Sequence, residues 1–434
     1  MKELKKEIQM KDKILTLLII SLFTSLSFAD NENYDGQDVS GQNFQSKSLI
    51  NSSWIGSNLS STDFHWATLT GANFTNAELT TAWFEASTVS GANFTNANLT
   101  SASFRFATAS GANFTNANLT ASDLTYMKLD NVILINSNLS GASFNAVSDL
   151  TGATIKAADL TSVVQNGFTK KHLYSTKSYA TDKDLSGVLF DYNDISSWEF
   201  MGQNLQNASF FASKVANVNF TCADLRGSET SVMKGTSIYK NTILADGKIQ
   251  SFSMASSADN FSIRKYTPAT EGGATISAKF TENASVSGNA TLTLEQGAEV
   301  EVIDTAVLSF GAESTLAINM DINGTSAFSI GDNAGLIFED GATIAVNLEG
   351  VFDTSLSYVF SILNWGDNSN VEGLLNLVKG DTLLLFLNGA AFADEWDYIV
   401  KDNSLIITAV PEPATYAAIF GALALALAVA RRRR

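Results

Sequence analysis

Residues 71–80 read GANFTNAELT, and residues 91–100 and 111–120 both read GANFTNANLT. In each decapeptide a large apolar side chain recurs after five residues: Phe74 and Leu79, Phe94 and Leu99, Phe114 and Leu119. Followed outward, the register holds from Val39 to Phe144 without a break, 22 positions at steps of five. Neither a helix period of 3.6 nor a strand period of 2 gives that spacing. A chain that turns a corner every five residues does. Twenty residues separate the decapeptides, which makes four fives and one full turn.

A second regularity runs two residues ahead of the first. Ala67, Ala72, Ala77, Ala82, Ala92, Ala97, Ala102, Ala107, Ala112 and Ala117 all sit there. Only a small residue leaves room beside a buried Leu or Phe. The other positions hold Asn, Asp, Thr and Ser, which suit solvated corners and bond their own backbone in tight turns. The pattern A-(N/D)-(L/F)-x-x, as in Ala97-Asn98-Leu99 and Ala112-Asn113-Phe114, closely resembles the pentapeptide-repeat family. That resemblance implies a right-handed quadrilateral β-helix with four pentapeptides per coil. Coils stacked at strand spacing, about 4.8 Å, would make the first block roughly 26 Å long. Each coil would bury its apolar face only on its neighbours, as in a solenoid.

The register slips by one after Phe144, since the next members are Leu150, Ile155 and Leu160. A bulge near Ser148 is expected. Residues 161–184 break the pattern. Thr169 is placed as the N-cap of one short helix, expected on the flank of the rod with the insert looped out of the stack. The period resumes at Leu185 and runs through Phe190, Ile195, Phe200, Leu205, Phe210, Val215 and Phe220 to Leu225. This gives block 1 at 30–160, an insert at 161–184, block 2 at 185–228 and a linker at 229–269. In the linker, Asn241-Thr242-Ile243-Leu244-Ala245-Asp246-Gly247 resembles a joint seen in surface proteins that carry the terminal signal described below.

Residues 270–409 change character. Short alternating segments such as Leu292-Thr293-Leu294, Val300-Glu301-Val302 and Ile344-Ala345-Val346 are parted by turns at Gly297 and Gly341. Spacings of about 8 to 14 residues predict a β-sandwich, with a second, irregular β-helix as the alternative. The fold class is therefore all-β: a pentapeptide β-helix, a second β-rich domain and one C-terminal transmembrane helix.

Both ends read as targeting segments. In residues 1–29, Lys11 and Lys13 precede an apolar run from Ile14 to Phe23, and Ser27-Phe28-Ala29 offers a cleavage site, the layout of a secretory signal. Residues 410–434 carry Pro411-Glu412-Pro413, then 17 uncharged residues from Ala414 to Ala430, then Arg431, Arg432, Arg433 and Arg434. Seventeen helical residues reach about 25 Å, at the short end of a membrane span, and the Arg cluster would hold the carboxyl end inside. The three parts resemble the PEP-CTERM sorting signal. The resemblance implies an exosortase-type membrane protease as processing partner, acting near Pro-Glu-Pro, and a bacterial membrane, cell-surface or extracellular-matrix location.

The chain carries −17 at neutral pH. Removing residues 1–29 and 431–434 leaves 18 cations against 41 acids, −23. That excludes general nucleic-acid binding, which needs clustered cations. Acidic rods of this family can mimic DNA, but an exported chain would not meet that target. With Cys222 the lone cysteine, no intrachain disulfide can form. The sequence shows no HExxH, GxSxG, GxxxxGK or CxxC and two histidines, His65 and His172. No catalytic constellation, metal site or cofactor is expected.

Residues twenty apart should stack in columns. One column gathers His65, Glu85 and Arg105, as a charged strip or a solvated ladder. The next gathers Trp66, Ala86, Phe106 and Tyr126, in outward slots that the repeat usually fills with polar groups. Exposed aromatics there could stack on sugar rings of an extracellular polysaccharide or on a partner protein, or could be covered by the insert or the second domain. The expected function is a non-enzymatic exported surface or matrix protein, with a glycan- or partner-binding adhesin as the alternative.

Overall fold

The computed structural model describes residues 31–147, 150–229, 236–256, 259–321 and 327–349, and beyond them 358–365, 369–372, 383–387, 390–391, 396–401 and 404–409. The segments at 1–29 and 410–434 lie outside the described residues. So do Ser148 and its expected bulge. The chain forms two compact units: Met1–Ile195 with Phe210–Lys214, and Ser196–Ser209 with Val215–Arg434.

In the first unit the five-residue period builds a square coil. The Phe74 N–H donates to Asn93 O at 2.7 Å, and the Asn93 N–H returns to Ala72 O at 2.9 Å. The backbone groups flanking each buried side chain thus pair one coil away. The corner closes when the Ala77 N–H donates to Phe74 O at 3.0 Å, with Asn76 at φ 58°. That is a turn needing a positive φ at its third residue, which Gly and Asn tolerate best. Phe74, Leu79, Phe84 and Val89 lie on four successive walls, all fully buried. The Phe columns stack: Phe74 on Phe94 and Phe94 on Phe114, each at 4.8 Å and nearly parallel. Phenyls from opposite walls meet edge to face across the interior, as Phe84 and Phe94 do at 5.8 Å and 88°. Each such side chain contributes about 1.5–3 kcal/mol of burial. Outside, Asn93 Oδ1 accepts from the backbone and hydroxyl of Thr95, tying down the polar edge of the wall.

The one-residue slip is visible in the ladder. Asn113 pairs with Ile133, twenty residues on, but Ile133 pairs with Thr154, twenty-one on. The insert departs from the expected picture. It holds a 3₁₀ turn (Val164–Asn166) and two short helices, α1 (Lys170–Ser175) and α2 (Lys177–Ala180). They are not looped out. The Phe144 N–H donates to Asn166 O, Gly152 N–H to Ser175 O and Lys177 N–H to Ala153 O, so the insert forms part of the next coil. Its apolar residues explain why: Phe168 and Leu173 are fully buried, and Phe168 meets Phe144 edge-on at 5.1 Å. That coil is longer, since Leu160 bonds Leu189. Thr169 does precede α1. The Thr169 N–H donates to His172 Nδ1 at 3.0 Å, and His172 Nε2 lies 3.0 Å from Val147 O. The first bond makes Nδ1 the acceptor, so Nε2 is the donor and His172 is a neutral structural residue.

The second unit begins with pentapeptide walls. The Leu205 N–H donates to Asp224 O, and the Leu225 N–H to Ile243 O, both at 2.8 Å. The region expected as a linker is structured: β1 (Thr242–Ile243) pairs antiparallel with β2 (Ile249–Gln250), and strands of a second solenoid follow at once. One parallel sheet contains β3 (Ser253–Met254), β6 (Ala284–Val286), β9 (Val307–Phe310), β12 (Gly335–Phe338) and β15 (Asn370–Glu372). A second contains β4 (Asn260–Ile263), β7 (Thr291–Leu294), β10 (Thr315–Asp321), β13 (Thr343–Glu349) and β16 (Leu383–Leu387), edged by antiparallel β17 (Ala390–Ala391). The third contains β5 (Ala278–Phe280), β8 (Glu299–Val302), β11 (Ala327–Ile330) and β14 (Tyr358–Trp365), closed by the antiparallel pair β18 (Trp396–Lys401) and β19 (Ser404–Ala409).

Every third strand therefore pairs in parallel, and the β-sandwich expectation is corrected to a three-sided β-solenoid. Both folds bury alternate residues, so alternation cannot separate them. The packing does. Ala290, Ala298, Ala306 and Ser314 recur every eight residues, each buried and two residues ahead of a buried Leu or Val. Three such steps make the 24-residue offset between Leu292 and its partner Leu316.

Candidate functional site

Wall position and side chain together single out one surface of the first unit. Residues 63–66, 83–86, 103–106 and 123–126 lie on one wall, because Asp63 pairs with Trp83, Trp83 with Ser103 and Ser103 with Asp123. The other walls carry Asn, Thr, Ser and Gly at nearly all matching slots. This wall carries Trp66 (59% exposed), Trp83 (51%), Phe106 (54%) and Tyr126 (52%). Between 31 and 147 among the described residues, Ile55 is the one other large apolar residue so exposed; elsewhere in the unit Tyr192 and Phe211 form a smaller exposed pair, 5.6 Å apart, on a different wall.

The expected aromatic column forms and is not covered within the unit. Phe106 and Tyr126 stack at 4.8 Å with planes 7° apart. Trp66, Phe106 and Tyr126 occupy the corner position, with φ of 57°, 58° and 60°. That left-handed conformation is set by the corner itself, since Asn76, Thr81, Ala86 and Asn96 share it; bulky residues are uncommon there.

The charged column is only partly as expected. His65 sits between two carboxylates, with Nδ1 2.6 Å from Asp63 Oδ1 and Nε2 3.4 Å from Glu85 Oε2. Glu85 also accepts from Ser103 Oγ at 3.0 Å. Arg105 does not turn to Glu85. It pairs with Asp123 at 3.2 Å and lies 5.7 Å from the Phe106 ring centre. Burial pushes the Asp123 carboxyl up, but hydrogen bonds from Thr125 and the Arg105 charge outweigh it and hold it below the usual range. Pairs this exposed contribute little to stability. Their effect is to fix the polar groups between the rings.

Sequence reading missed Trp83, Asp63 and Asp123. Trp83 is the informative omission. It stands just before a buried residue, where the repeat prefers Asn or Asp, and meets the His65 ring edge-on at 5.5 Å. A Trp in a slot that is otherwise small and polar was the available signal. Pro411, Glu412, Pro413 and Arg431 to Arg434 lie outside the described residues. Among the described residues no group of three or more His, Cys, Asp or Glu is placed to hold a metal ion. No helix among them is long and apolar enough to cross a membrane. Cys222 is half-buried, and burial pushes its thiol up.

The geometry defines a solenoid with one chemically distinct wall. The family model described as pentapeptide repeats matches in 8 copies, over residues 43–76, 77–116 and 112–148. The chain thus carries a pentapeptide-repeat domain, as the A-(N/D)-(L/F)-x-x pattern implied. Solved structures of similar kind include HetL, a pentapeptide repeat protein involved in heterocyst differentiation regulation from the cyanobacterium Nostoc sp. strain PCC 7120. It is 21% identical over 54% of this chain and 98% of its own, with a TM-score of 0.19. A pentapeptide repeat protein from the Arabidopsis thaliana thylakoid lumen is 28% identical over 30% of this chain and 69% of its own, TM-score 0.12. One from the cyanobacterium Cyanothece 51142 is 19% identical over 27% and 80%, TM-score 0.19. No curated protein matches the chain.

Proposed function

We propose that this is a non-enzymatic, exported protein of the bacterial cell surface or extracellular matrix, whose pentapeptide rod offers the 63–126 wall as a contact surface. The observation that carries the reading is the bracketing of two solenoids by a Lys-flanked apolar leader and a Pro-Glu-Pro, apolar, Arg-rich tail. The leader directs export. The tail holds the chain in the membrane through Ala414 to Ala430, with Arg431, Arg432, Arg433 and Arg434 as the stop. An exosortase-type protease then processes it near Pro411-Glu412-Pro413, where the prolines keep the segment extended and out of a helix. Fractionation with mass spectrometry of the mature termini tests this. Changing Pro411 and Pro413 to Ala should leave uncleaved, membrane-held protein. Normal release of that variant would remove the sorting role.

A second reading, an adhesin, is favoured by the exposure of Trp66, Trp83, Phe106 and Tyr126 on one wall. The two readings are compatible, since an exported rod needs a surface by which it is retained.

A further inference from the structure

The aromatic column on the contact wall has one rung missing. Trp66, Ala86, Phe106 and Tyr126 occupy one corner position on four successive coils. Phe106 and Tyr126 fill adjacent rungs and stack at 4.8 Å. At the rung between Trp66 and Phe106 stands Ala86, exposed. The two flanking rungs are two coil rises apart, roughly 9.6 Å. That is about twice the observed stacking distance, so one further ring fits between them. The backbone does not impose the gap: φ at Ala86 is 54°, beside 57° to 60° at the three aromatic positions.

Resting on the reading of this wall as a contact surface, we infer that Ala86 is the seat of a pyranose ring, and that the ligand is an uncharged polysaccharide lying along the rod. Sugar rings present C–H faces that pack against aromatic rings, and hydroxyls around their rim. At this seat the rings are Trp66 and Phe106. The groups beside them are His65, Glu85 and Ser103, already held in place by their mutual contacts. A continuous apolar patch would suit a protein partner. Here charged and hydroxyl groups separate the rings, which suits a ligand that is apolar on its faces and polar at its edges.

Charge excludes the acidic glycans. The wall carries Asp63, Glu85 and Asp123, and both of its basic groups face carboxylates, Arg105 on Asp123 and His65 between Asp63 and Glu85. No free cation on the wall remains for a uronate, sulfate or phosphate, and the chain as a whole carries −17. An extended β-linked chain also advances about as far per sugar as the rod does per coil. One polymer can therefore engage Trp66, Phe106 and Tyr126 at successive rungs.

The test is affinity electrophoresis of the detergent-solubilised full chain in native gels containing laminarin, hydroxyethylcellulose, galactomannan or dextran, with alginate as the polyanion. At least one uncharged polymer should retard the protein, and alginate should not. Ala86→Tyr fills the seat with a side chain that Tyr126 shows to fit this position, and should weaken retardation about tenfold or more. Trp66→Ser, at a solvent-facing site, should do the same, with the far-UV spectrum and melting temperature of both variants unchanged. Three results would overturn the seat: no retardation by any uncharged polymer, stronger retardation by alginate, or undiminished binding by Ala86→Tyr. Capture of a protein through Trp66 with no polysaccharide binding would also overturn it while leaving the contact wall standing. The export reading is judged separately, by fractionation.

Discussion

Asp224 and Arg226 form a bidentate ion pair with almost no solvent exposure, Nε to Oδ1 at 3.0 Å and Nη2 to Oδ2 at 2.7 Å. The guanidinium is further used by Ile276 O at 3.0 Å and Arg264 O at 2.6 Å, and Gln206 Nε2 donates to Asp224 Oδ2 at 2.8 Å. These bonds join the last pentapeptide walls to the strand segments of the second solenoid, inside one compact unit. A planar, five-donor fork can serve a carboxylate and two carbonyls at once; a lysine cannot. Removing one partner would strand the other charge. Arg226→Met should destabilise this unit by about 3–5 kcal/mol, whereas Asp224→Leu with Arg226→Met should cost clearly less than the two single changes together. Urea-dependent hydrogen exchange of the backbone N–H groups of Leu205 and Leu225, both bonded within the unit, measures both. Near-additive costs would show that the pair acts as two independent groups.

Phe94 is held between Phe74 and Phe114 at 4.8 Å on either side. Phe94→Ala should cost about 3–5 kcal/mol, from lost burial and the cavity left between two rings that cannot close on each other. In a solenoid the loss should be concentrated nearby. Hydrogen exchange should therefore quicken most in residues 72–76 and 112–116. Uniform quickening across the first unit would mean that it unfolds as one body.

The first unit was legible because a five-residue period has one physical solution and every residue in the series points inward. Spacing alone places Phe74, Leu79, Phe84 and Val89 on four walls. The second solenoid was legible only as the alternative to a sandwich, because alternation as in Thr291-Leu292-Thr293-Leu294 reports that one strand face is buried and nothing about which strand pairs with which. The eight-residue recurrence of Ala290, Ala298 and Ala306 held that information, as small residues at solenoid corners. The insert misled for a related reason: a capped helix was readable at Thr169, but the burial of Phe168 and Leu173 against the coil is a tertiary fact. On the candidate wall, columns twenty apart gave Trp66, Phe106 and Tyr126. The diversion of Arg105 to Asp123 depends on rotamers that spacing does not set.

The insert should carry a pH dependence. Lys156 Nζ lies 2.8 Å from Asp184 Oδ2, and the Ser186 N–H donates to Oδ1 at 3.1 Å. Burial pushes the Asp184 carboxyl up, but Lys156 and Ser186 outweigh it and hold it below the usual range. A carboxyl depressed in the folded state adds stability above its unfolded value, about 3.9, and that stability is lost as pH falls through the folded value. Because the pair is partly solvated, Asp184→Asn should cost only about 0.5–1 kcal/mol at neutral pH. The gap between wild-type and variant melting temperatures should shrink below about pH 4. A gap that widens on acidification would show that Asp184 is not the group responsible.

Gly91 and Gly152 share a left-handed backbone, φ 65° and 73°, but not their surroundings. A Cβ at Gly91 would meet open space, while one at Gly152 would run into the Asn131 side-chain oxygen and press on its Cγ at 3.1 Å. Gly91→Ala should therefore carry only the conformational cost, about 1–2 kcal/mol, eased by the reduced freedom of the unfolded chain. Gly91→Asn should cost less still, because Asn fills the same corner slot at Asn76, Asn96 and Asn116 with φ of 58° to 59°. Gly152→Ala should exceed both, since Asn131 must move from the coil directly beneath, and Asn131→Ala should restore much of the difference. Thermal melts of the four variants decide it. Equal losses at the two glycines would mean that backbone strain alone sets the cost and that the Asn131 side chain turns aside freely.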